Sequence, residues 1–210
     1  MSRGERKLSA IGVALPGVDW LQSPSHFVDR SDRLKTVSTE LLDIVDDNDQ
    51  VIGTAARGEI HQRELMHRSI HIIVLDGAGN VLLQKRSMQK DQCAGMWDTS
   101  CAGHVESGQS YEETAPRELE EELGIAPDAP LQQLFKMHPT KENGQEFALV
   151  YSIVHQGPFV PAEDEIDELK WFSYKEIDTW LDRLDSVNIE QYDLTSGFME
   201  IWRRFREQHA

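Results

Sequence analysis

The sequence has little that would place the protein outside the cell or in a membrane. It contains two cysteines in 210 residues, Cys93 and Cys101, which are too few for a disulfide framework and do not form a CxxC pair. It has no run of about 18 apolar residues that could span a bilayer. The N-terminus begins with basic side chains, but Gly12, Pro16 and Gly17 interrupt its short apolar patch. We therefore expect no signal peptide and a cytoplasmic protein.

Basic side chains are also scarce. The chain has 21 Lys and Arg against 37 Asp and Glu, and its formal net charge is -16 at pH 7. Long-range repulsion therefore opposes binding to nucleic acid polymers and to anionic membranes. A phosphate group on a ligand must therefore be bound by a few cationic side chains close to it. We expect a small-molecule ligand, and the sequence is also compatible with a homodimer.

Turn-forming residues dominate the start of the chain, where no sustained apolar period is present. We predict a partly ordered extension over residues 1–37 and one folded domain over residues 38–210. Strand-like and amphipathic segments alternate in the domain without an internal repeat, which predicts a mixed α/β sandwich of the α+β class. The clearest element is a hairpin of residues 69–75 and 81–86. His71 and Trp97 are interpreted as core residues.

The remaining elements follow from apolar periodicity and turn signals. Strands are predicted around residues 40–46, 51–55, 97–105, 131–137, 147–154 and 169–172, and helices within 57–66, 110–124, 174–184 and 196–207. In the last helix the apolar residues recur at i, i+3, i+4 and i+7, which predicts a stripe that faces the core. That stripe consists of Phe198, Ile201, Trp202 and Phe205.

The helix near residue 110 has clear end signals. Ser110 and Glu113 have the spacing of a capping box, and Gly124 is a typical stop. Pro116 lies between these ends, where it removes one backbone hydrogen bond at a cost of about 3 kcal/mol. We therefore expect a kink at Pro116, or a helix that restarts with Thr114 as its cap.

Three glutamates in this helix have a spacing suited to metal binding. Glu118, Glu121 and Glu122 lie at i, i+3 and i+4, so their carboxylates emerge from one face. Like charges this close raise each other's pKa and favour a neutralising cation. Mg²⁺ is the natural candidate because it prefers carboxylate oxygens and water. A solvated acidic helix face is the alternative interpretation.

The residues around these glutamates resemble the Nudix box, a loop-helix-loop motif of pyrophosphohydrolases. Every fixed position is matched except one, where Gln109 replaces a glutamate. The matching residues are Gly103, Arg117, Glu118, Leu119, Glu121, Glu122, Gly124 and Ile125. The resemblance implies a mixed sheet between helices. It also implies hydrolysis, dependent on Mg²⁺ or Mn²⁺, of a diphosphate linkage in a small nucleotide-type metabolite.

The resemblance assigns roles to the residues of the box. Glu118, Glu121 and Glu122 would bind the metal, with the carbonyl of Ala102 as a further ligand. Arg117 would position a glutamate of the box. Metal ions of this kind neutralise charge on phosphate oxygens and activate a bound water that attacks phosphorus.

A general base must take the proton of the attacking water. It could be a glutamate of the box, or an acid from a later loop such as Glu146, Glu163 or Glu165. Glu146 is our first choice for an additional ligand of the box metal, because it opens a predicted strand after a turn. At Gln109 we expect weaker support for the box without loss of its chemistry.

From residue 40 onward the chain is also similar to the Nudix branch that includes type I isopentenyl diphosphate isomerase and its hydrolase-like relatives. This similarity implies that Arg86 and Lys90 bind the diphosphate of the substrate, with Arg57 as a further cationic contact. It also implies a second metal site formed by three histidines. These are His61, His67 and His104.

The cysteine that the isomerase requires is not matched. Ala102 stands immediately before the Gly-His pair, and Cys101, one residue earlier, faces the other side of a strand. Isomerisation needs a proton donor and an acceptor on opposite sides of the substrate carbon. The complete set of metal glutamates also favours a hydrolase. An isomerase-like enzyme and a diphosphate-binding module with little turnover are the alternatives.

Overall fold

The computed structural model describes residues 40–186 and 193–209, so the predicted extension over residues 1–37 lies outside the described residues. Strands and helices alternate along these ranges, which confirms the predicted α+β class. The strands are β1 (Leu41–Val45), β2 (Val51–Ala56), β3 (His67–Leu75), β4 (Asn80–Arg86), β5 (Trp97–Asp98), β6 (Cys101–His104), β7 (Gln132–Lys136), β8 (Glu146–Val154) and β9 (Ile166–Ser173). The helices are α1 (Arg57–Gln62), α2 (Tyr111–Leu123), α3 (Tyr174–Ser186) and α4 (Ser196–Gln208). None of the described helices has the length and apolar character needed to cross a membrane.

Two sheets are present in the described part of the chain. Strands β1 and β2 form an antiparallel hairpin of their own, and the other seven strands form a mixed sheet. Its main path runs β5-β4-β3-β8-β7, with β6 also paired to β3 and β9 also paired to β4. Strands β3 and β8 are parallel, from His67 opposite Glu146 to Leu75 opposite Val154. This register brings the first residues of β3 and β8 together at one end of the sheet.

The predicted hairpin of β3 and β4 opens into a fork. The two strands pair only near the turn, at Val74 with Leu82 and at Leu75 with Val81. Beyond these pairs, β6 takes the free edge of β3 and β5 takes that of β4, whose other edge pairs with β9 along its length. Ser100 lies in the fork, where its hydroxyl accepts from the backbone N–H of Val74 at 2.7 Å and donates to the carbonyl of Leu82. The fork therefore places β6 beside β3 and β5 beside the far half of β4.

Helices cover both faces of the large sheet. Consecutive residues Ile72 and Ile73 of β3 belong to different apolar clusters, because successive side chains of a strand point to opposite faces. Ile72 packs with Leu119 and the rest of the apolar side of α2, whereas Ile73 packs with α3 and α4. The predicted stripe of α4 is confirmed, since each of its residues is at most 1% exposed: Phe198, Ile201, Trp202 and Phe205.

Helix α2 has the predicted ends. The hydroxyl of Ser110 accepts from the backbone N–H of Glu113, and the carboxylate of Glu113 accepts from the backbone N–H of Ser110, which completes the capping box. Gly124 closes the helix with a φ of 69°, a conformation that favours glycine. These two caps fix both ends of the helix that carries the acidic residues.

The helix does not restart at Thr114, so that part of the prediction is wrong. One helix runs through Pro116, and the hydroxyl of Thr114 donates to the carbonyl of Ser110 at 2.9 Å inside it. Proline at this position leaves the carbonyl of Glu112 without its helical donor. Because Glu112 is exposed, water can satisfy that carbonyl and the helix continues.

An ionic cluster joins the turn of the β1–β2 hairpin to the large sheet. Asp49, with a φ of 58°, accepts hydrogen bonds from Nε of Arg68 at 2.6 Å, from the hydroxyl of Tyr111 at 3.0 Å and from Nζ of Lys136. Burial alone would raise the pKa of Asp49, but the hydrogen bonds from Lys136 and Arg68 outweigh it and lower the pKa. One carboxylate thus connects the hairpin to β3, α2 and β7.

We expect Asp49→Asn to reduce the free energy of unfolding at pH 7 by about 2–3 kcal/mol, because hydrogen bonds to charged groups contribute about that much. Asparagine tolerates positive φ, so the backbone of the turn is preserved. Because the pKa of Asp49 is lowered in the folded state, the stabilisation from its charged carboxylate is fully present above the ordinary pKa of 3.8. This stabilisation is lost as the pH falls through the pKa that Asp49 has in the folded protein. Urea titrations at pH 7 and at acidic pH measure both effects.

The exposed Asp128 provides the matched control. Asp128→Asn should change the free energy of unfolding by less than about 0.5 kcal/mol. Equal losses in the two variants would contradict the role of the Asp49 cluster.

Candidate functional site

The acidic side of α2 packs directly on the backbone of β6. A Cβ atom at Gly103 would lie 2.2 Å from the carboxyl carbon of Glu118, so the absence of a side chain at Gly103 leaves room for this carboxylate in its present position. Glu122, one turn later, is 6% exposed, and its Oε2 accepts from the backbone N–H of Ala102 at 3.3 Å. The same oxygen accepts from the side-chain amide of Gln84 in β4 at 3.2 Å. Two carboxylates are therefore enclosed at the fork, where Glu122 accepts from residues of both β4 and β6.

Burial makes these two carboxylates hard to ionise together. It raises the pKa of Glu122 to about 7, and the charge of Glu118 adds to the rise although Lys90 opposes it. Burial also raises the pKa of Glu118, with partial relief from Arg117. A cation bound between Glu118 and Glu122 would favour the charged form of both.

Glu121 differs from its two neighbours. Its side chain is 60% exposed and lies 2.9 Å from Nη1 of Arg117. Arg117 also contacts Glu118 at 2.9 Å, and it donates to Oε1 of Gln109 at 3.3 Å. Of the three carboxylates predicted on one helix face, those of Glu118 and Glu122 are therefore enclosed by the protein, while that of Glu121 lies at the edge of the face, in contact with solvent. Gln109 still contacts Arg117, as a neutral acceptor in place of a carboxylate.

The cations predicted to bind phosphate lie close to the buried carboxylates. Burial lowers the pKa of Lys90, and the positive charges of Arg86 and Arg57 lower it further, whereas the negative charge of Glu122 opposes the fall. Arg57 opens α1, Arg86 ends β4, and Lys90 lies in the loop that follows β4. Three separate segments thus supply positive charge to one region of a very acidic protein.

Each of these cations contacts an acid. The pairs are Arg57 with Asp91 at 2.7 and 2.9 Å, Arg86 with Asp98 at 3.5 Å, and Lys90 with Glu165. The Arg57 pair is bidentate, with two nitrogens on two oxygens, which is the geometry that a guanidinium also offers to a phosphate. Of the base candidates in the last loop, Glu165 adjoins the cations, whereas Glu163 is exposed.

The three predicted histidines converge from α1, β3 and β6. The ring centroids of His61, His67 and His104 lie 5.0 to 5.2 Å apart, and one ligand atom from each lies within 4.8 Å of the others. Nδ1 of His67 is 2.9 Å from the carbonyl of Leu65, so it must donate, and Nε2 of the neutral ring keeps a lone pair. In the described part of the chain, Nε2 of His67 and Nε2 of His61 are buried without a hydrogen-bond partner. Buried nitrogens of this kind suit metal binding.

Glu146 lies beside the histidines, where the parallel register of β3 and β8 places it. Its Oε1 is 3.6 Å from Nε2 of His67 and 3.8 Å from Nε2 of His104, whose Nδ1 is 3.3 Å from Glu40. Burial alone would raise the pKa of Glu146, but His104 and His67 hold it well below its ordinary value. Burial alone would lower the pKa of His104, but Glu146 and Glu40 raise it to about 9. Burial and the other two histidines lower the pKa of His61 to about 4.

Strand β6 also positions the residues at the place of the isomerase cysteine. Cys101 is 0% exposed and packs with the apolar side of α2, and burial raises the pKa of its thiol well above the ordinary value. Ala102 is opposite His71 in the neighbouring strand, and Nδ1 of His71 is 2.8 Å from the hydroxyl of Thr99. The prediction that His71 is a hydrogen-bonded core residue is thereby confirmed.

Three residues at the site are not indicated by any motif. They are Gln84, Asp91 and Glu40. The sequence does not mark Gln84, because Lys85 and Arg86 follow it and it reads as the first residue of the polar half of a predicted strand. Asp91 lies among other polar residues, and Glu40 only begins a segment predicted as a strand, so nothing in the pattern marks either as a site residue.

Comparisons with known proteins agree with this geometry. A profile of the NUDIX domain matches residues 65–194. The chain is 37% identical over 143 residues to YfcD of Escherichia coli, an uncharacterized Nudix hydrolase, over 68% of this chain and 79% of the relative. It is 38% identical over 138 residues to isopentenyl-diphosphate delta-isomerase 2 of Photorhabdus laumondii, over 63% of this chain and 76% of the relative. The crystal structure of DR0079 from Deinococcus radiodurans has a similar fold, with a TM-score of 0.65 and 27% identity over 79% of this chain and 98% of that one. The chain therefore belongs to the Nudix family, in the branch that the sequence indicates, and its enzyme class is that of the Nudix pyrophosphohydrolases.

Proposed function

We propose that the protein hydrolyses a diphosphate linkage in a small nucleotide-type metabolite with Mg²⁺ or Mn²⁺. The observation that carries the proposal is the buried pair Glu118 and Glu122 on the backbone of Ala102, next to a group of cations. Glu118, Glu122 and the outer Glu121 would bind the metal, together with the carbonyl of Ala102. When bound, the metal neutralises charge on phosphate oxygens and makes a bound water more acidic. The raised pKa of each buried carboxylate fits a site completed by a cation.

The residues of the chain have separate tasks in this reaction. Arg57, Arg86 and Lys90 bind oxygens of the diphosphate and set its orientation relative to the carboxylates. Glu165 is the loop acid best placed to take a proton from water, because it adjoins Lys90. A glutamate of the box is the other candidate for the base. Arg117 contacts both Glu118 and Glu121 and so offsets the repulsion between their carboxylates.

We also propose that His61, His67, His104 and Glu146 bind a second metal ion. Three imidazoles with a carboxylate suit a transition metal such as Mn²⁺ or Zn²⁺ better than Mg²⁺. The two unpartnered buried nitrogens and the closeness of the rings support this site. In this assignment Glu146 belongs with the histidines and not with the metal of the box, because its carboxylate lies beside His67 and His104.

The histidine cluster favours one alternative function, that of an isopentenyl diphosphate isomerase. The cluster lies where the resemblance to the isomerase implies metal ligands. Against this alternative, Ala102 carries no acidic proton, and the thiol of Cys101 is buried on the other side of β6. Incubation of isopentenyl diphosphate in D₂O separates the two functions, since an isomerase incorporates deuterium into carbon and a hydrolase releases phosphate. We expect phosphate release only from a diphosphate substrate and no deuterium in carbon.

Glu122→Gln should reduce kcat/KM for the cleaved substrate by about 100-fold or more, because it removes a charged metal ligand at the site of charge development. Glu120→Gln is the matched control, since Glu120 lies on the exposed side of the same helix turn. Phosphate and pyrophosphate release is measured over a panel of nucleotide and isoprenoid diphosphates, with and without Mg²⁺. Failure to cleave any member of the panel, or equal activity of the two variants, would disprove the proposed hydrolysis.

His67→Ala should weaken binding of Mn²⁺ or Zn²⁺ to the histidine cluster by about 100-fold, because it removes a ligand nitrogen from a preformed site. Isothermal titration of the metal into the apoprotein measures the stoichiometry and affinity. His138→Ala is the control, since His138 is exposed and lies outside the cluster. Unchanged metal stoichiometry and affinity in His67→Ala would exclude the second site.

A further inference from the structure

We propose that Gln84 is a positioning residue, whose side-chain amide orients the carboxylate of Glu122 for metal binding. The inference rests on the proposed metal-dependent hydrolysis and adds a residue that the box motif does not contain. Gln84 does not itself touch the substrate in this proposal. It acts through the hydrogen bond from its Nε2 to Oε2 of Glu122, at 3.2 Å.

The burial of Gln84 requires an explanation. It is 2% exposed, in a strand whose preceding residues Val81, Leu82 and Leu83 are all buried and apolar. An amide buried without partners is costly, so a leucine or valine would be the ordinary residue for strand stability. Its hydrogen bond to Glu122 is the contact that the amide makes and that an aliphatic side chain could not make.

The backbone of Gln84 is firmly placed. It lies opposite Asp98 of β5 on one side and opposite Leu169 of β9 on the other, so β4 is paired along both edges at this residue. Its amide therefore extends from a fixed strand towards α2. On the other side, the backbone N–H of Ala102 in β6 donates to the same Oε2 of Glu122 at 3.3 Å. The carboxylate is thus oriented by donors from two strands of the fork.

The chemical nature of the donor matters as much as its position. The side-chain nitrogen of glutamine donates hydrogen bonds but carries no charge. It can orient Glu122 without neutralising it, whereas a lysine at this position would compete with the metal for the carboxylate. A glutamate at this position would add a third acid beside Glu118 and Glu122. Glutamine is therefore suited to a carboxylate whose charge is reserved for a cation.

The test replaces Gln84 with methionine, which is similar in volume but donates no hydrogen bond. We expect Gln84→Met to weaken Mn²⁺ binding at the box by about 10–100-fold, the range typical of residues that orient a metal ligand. With Mg²⁺ below saturation, kcat should fall by a similar factor while KM for the substrate stays within about twofold. Electron paramagnetic resonance of Mn²⁺ measures binding without turnover, in a His67→Ala background that removes the histidine site. The exposed Gln133 of β7 supplies the control variant Gln133→Met.

A double-mutant cycle with Glu122→Gln distinguishes positioning from a general effect on the fold. If Gln84 acts through Glu122, Gln84→Met has no further effect on Mn²⁺ binding once Glu122 is glutamine. An equal effect of Gln84→Met in both backgrounds, or no effect in either, overturns the inference. If Glu122→Gln itself leaves Mn²⁺ binding unchanged, the metal role of Glu122 fails, and the proposed function and this inference fail with it. Loss of Mn²⁺ binding in Glu122→Gln with normal binding in Gln84→Met overturns the inference alone.

Discussion

The close approach of α2 to β6 is the contact on which the rest of the site depends. The missing side chain of Gly103 leaves room there for the carboxyl group of Glu118, with which a Cβ atom would collide. The apolar side of the same helix, including Leu119 and Leu123, is buried in the core and keeps the helix in place. Burial of apolar surface thus brings Glu118 and Glu122 together against their mutual repulsion. The folded chain therefore contains an electrostatic strain that a bound cation relieves.

The fork between β3 and β4 determines what meets this acidic pair. Because the strands separate, β6 can pair with β3 while β5 pairs with β4. Gln84 of β4 and Ala102 of β6 then both donate to Glu122. Strand β6 ends at His104, which lies beside Glu146 and, with it, near His67 at the start of β3 and β8. Residues of β6 thus contribute to both proposed centres, and the positive charge of His104 acts on Glu118. The two proposed metal sites therefore share one strand.

Features that depend on neighbours in sequence could be predicted, and features that depend on strand pairing could not. The capping box at Ser110 and the apolar stripe of α4 follow from local spacing, and both are present. The position of Glu146 beside His67 follows from the parallel register of β3 and β8, which no local pattern encodes. Asp49 lies between two predicted strands, and no local pattern indicates its ionic role, because its partners come from three distant elements. At Pro116 the local signal is misleading. Proline favours a break, but the helix continues, because its other side is packed in the core and the carbonyl left without a donor belongs to the exposed Glu112.

The net charge of -16 raises the question of how such a chain binds an anionic substrate. The contacts of the cations suggest a local exchange of anions. Arg57 is bound by Asp91 through two hydrogen bonds, and Lys90 contacts Glu165, so both cations are already oriented by carboxylates. A diphosphate that binds as proposed takes the place of these carboxylates, which can turn towards solvent or, for Glu165, towards the attacking water. At each cation one anion then replaces another, so both cations remain paired with a negative charge. The charges that decide binding are those within a few ångströms of the phosphate, because salt screens the more distant acids of the surface.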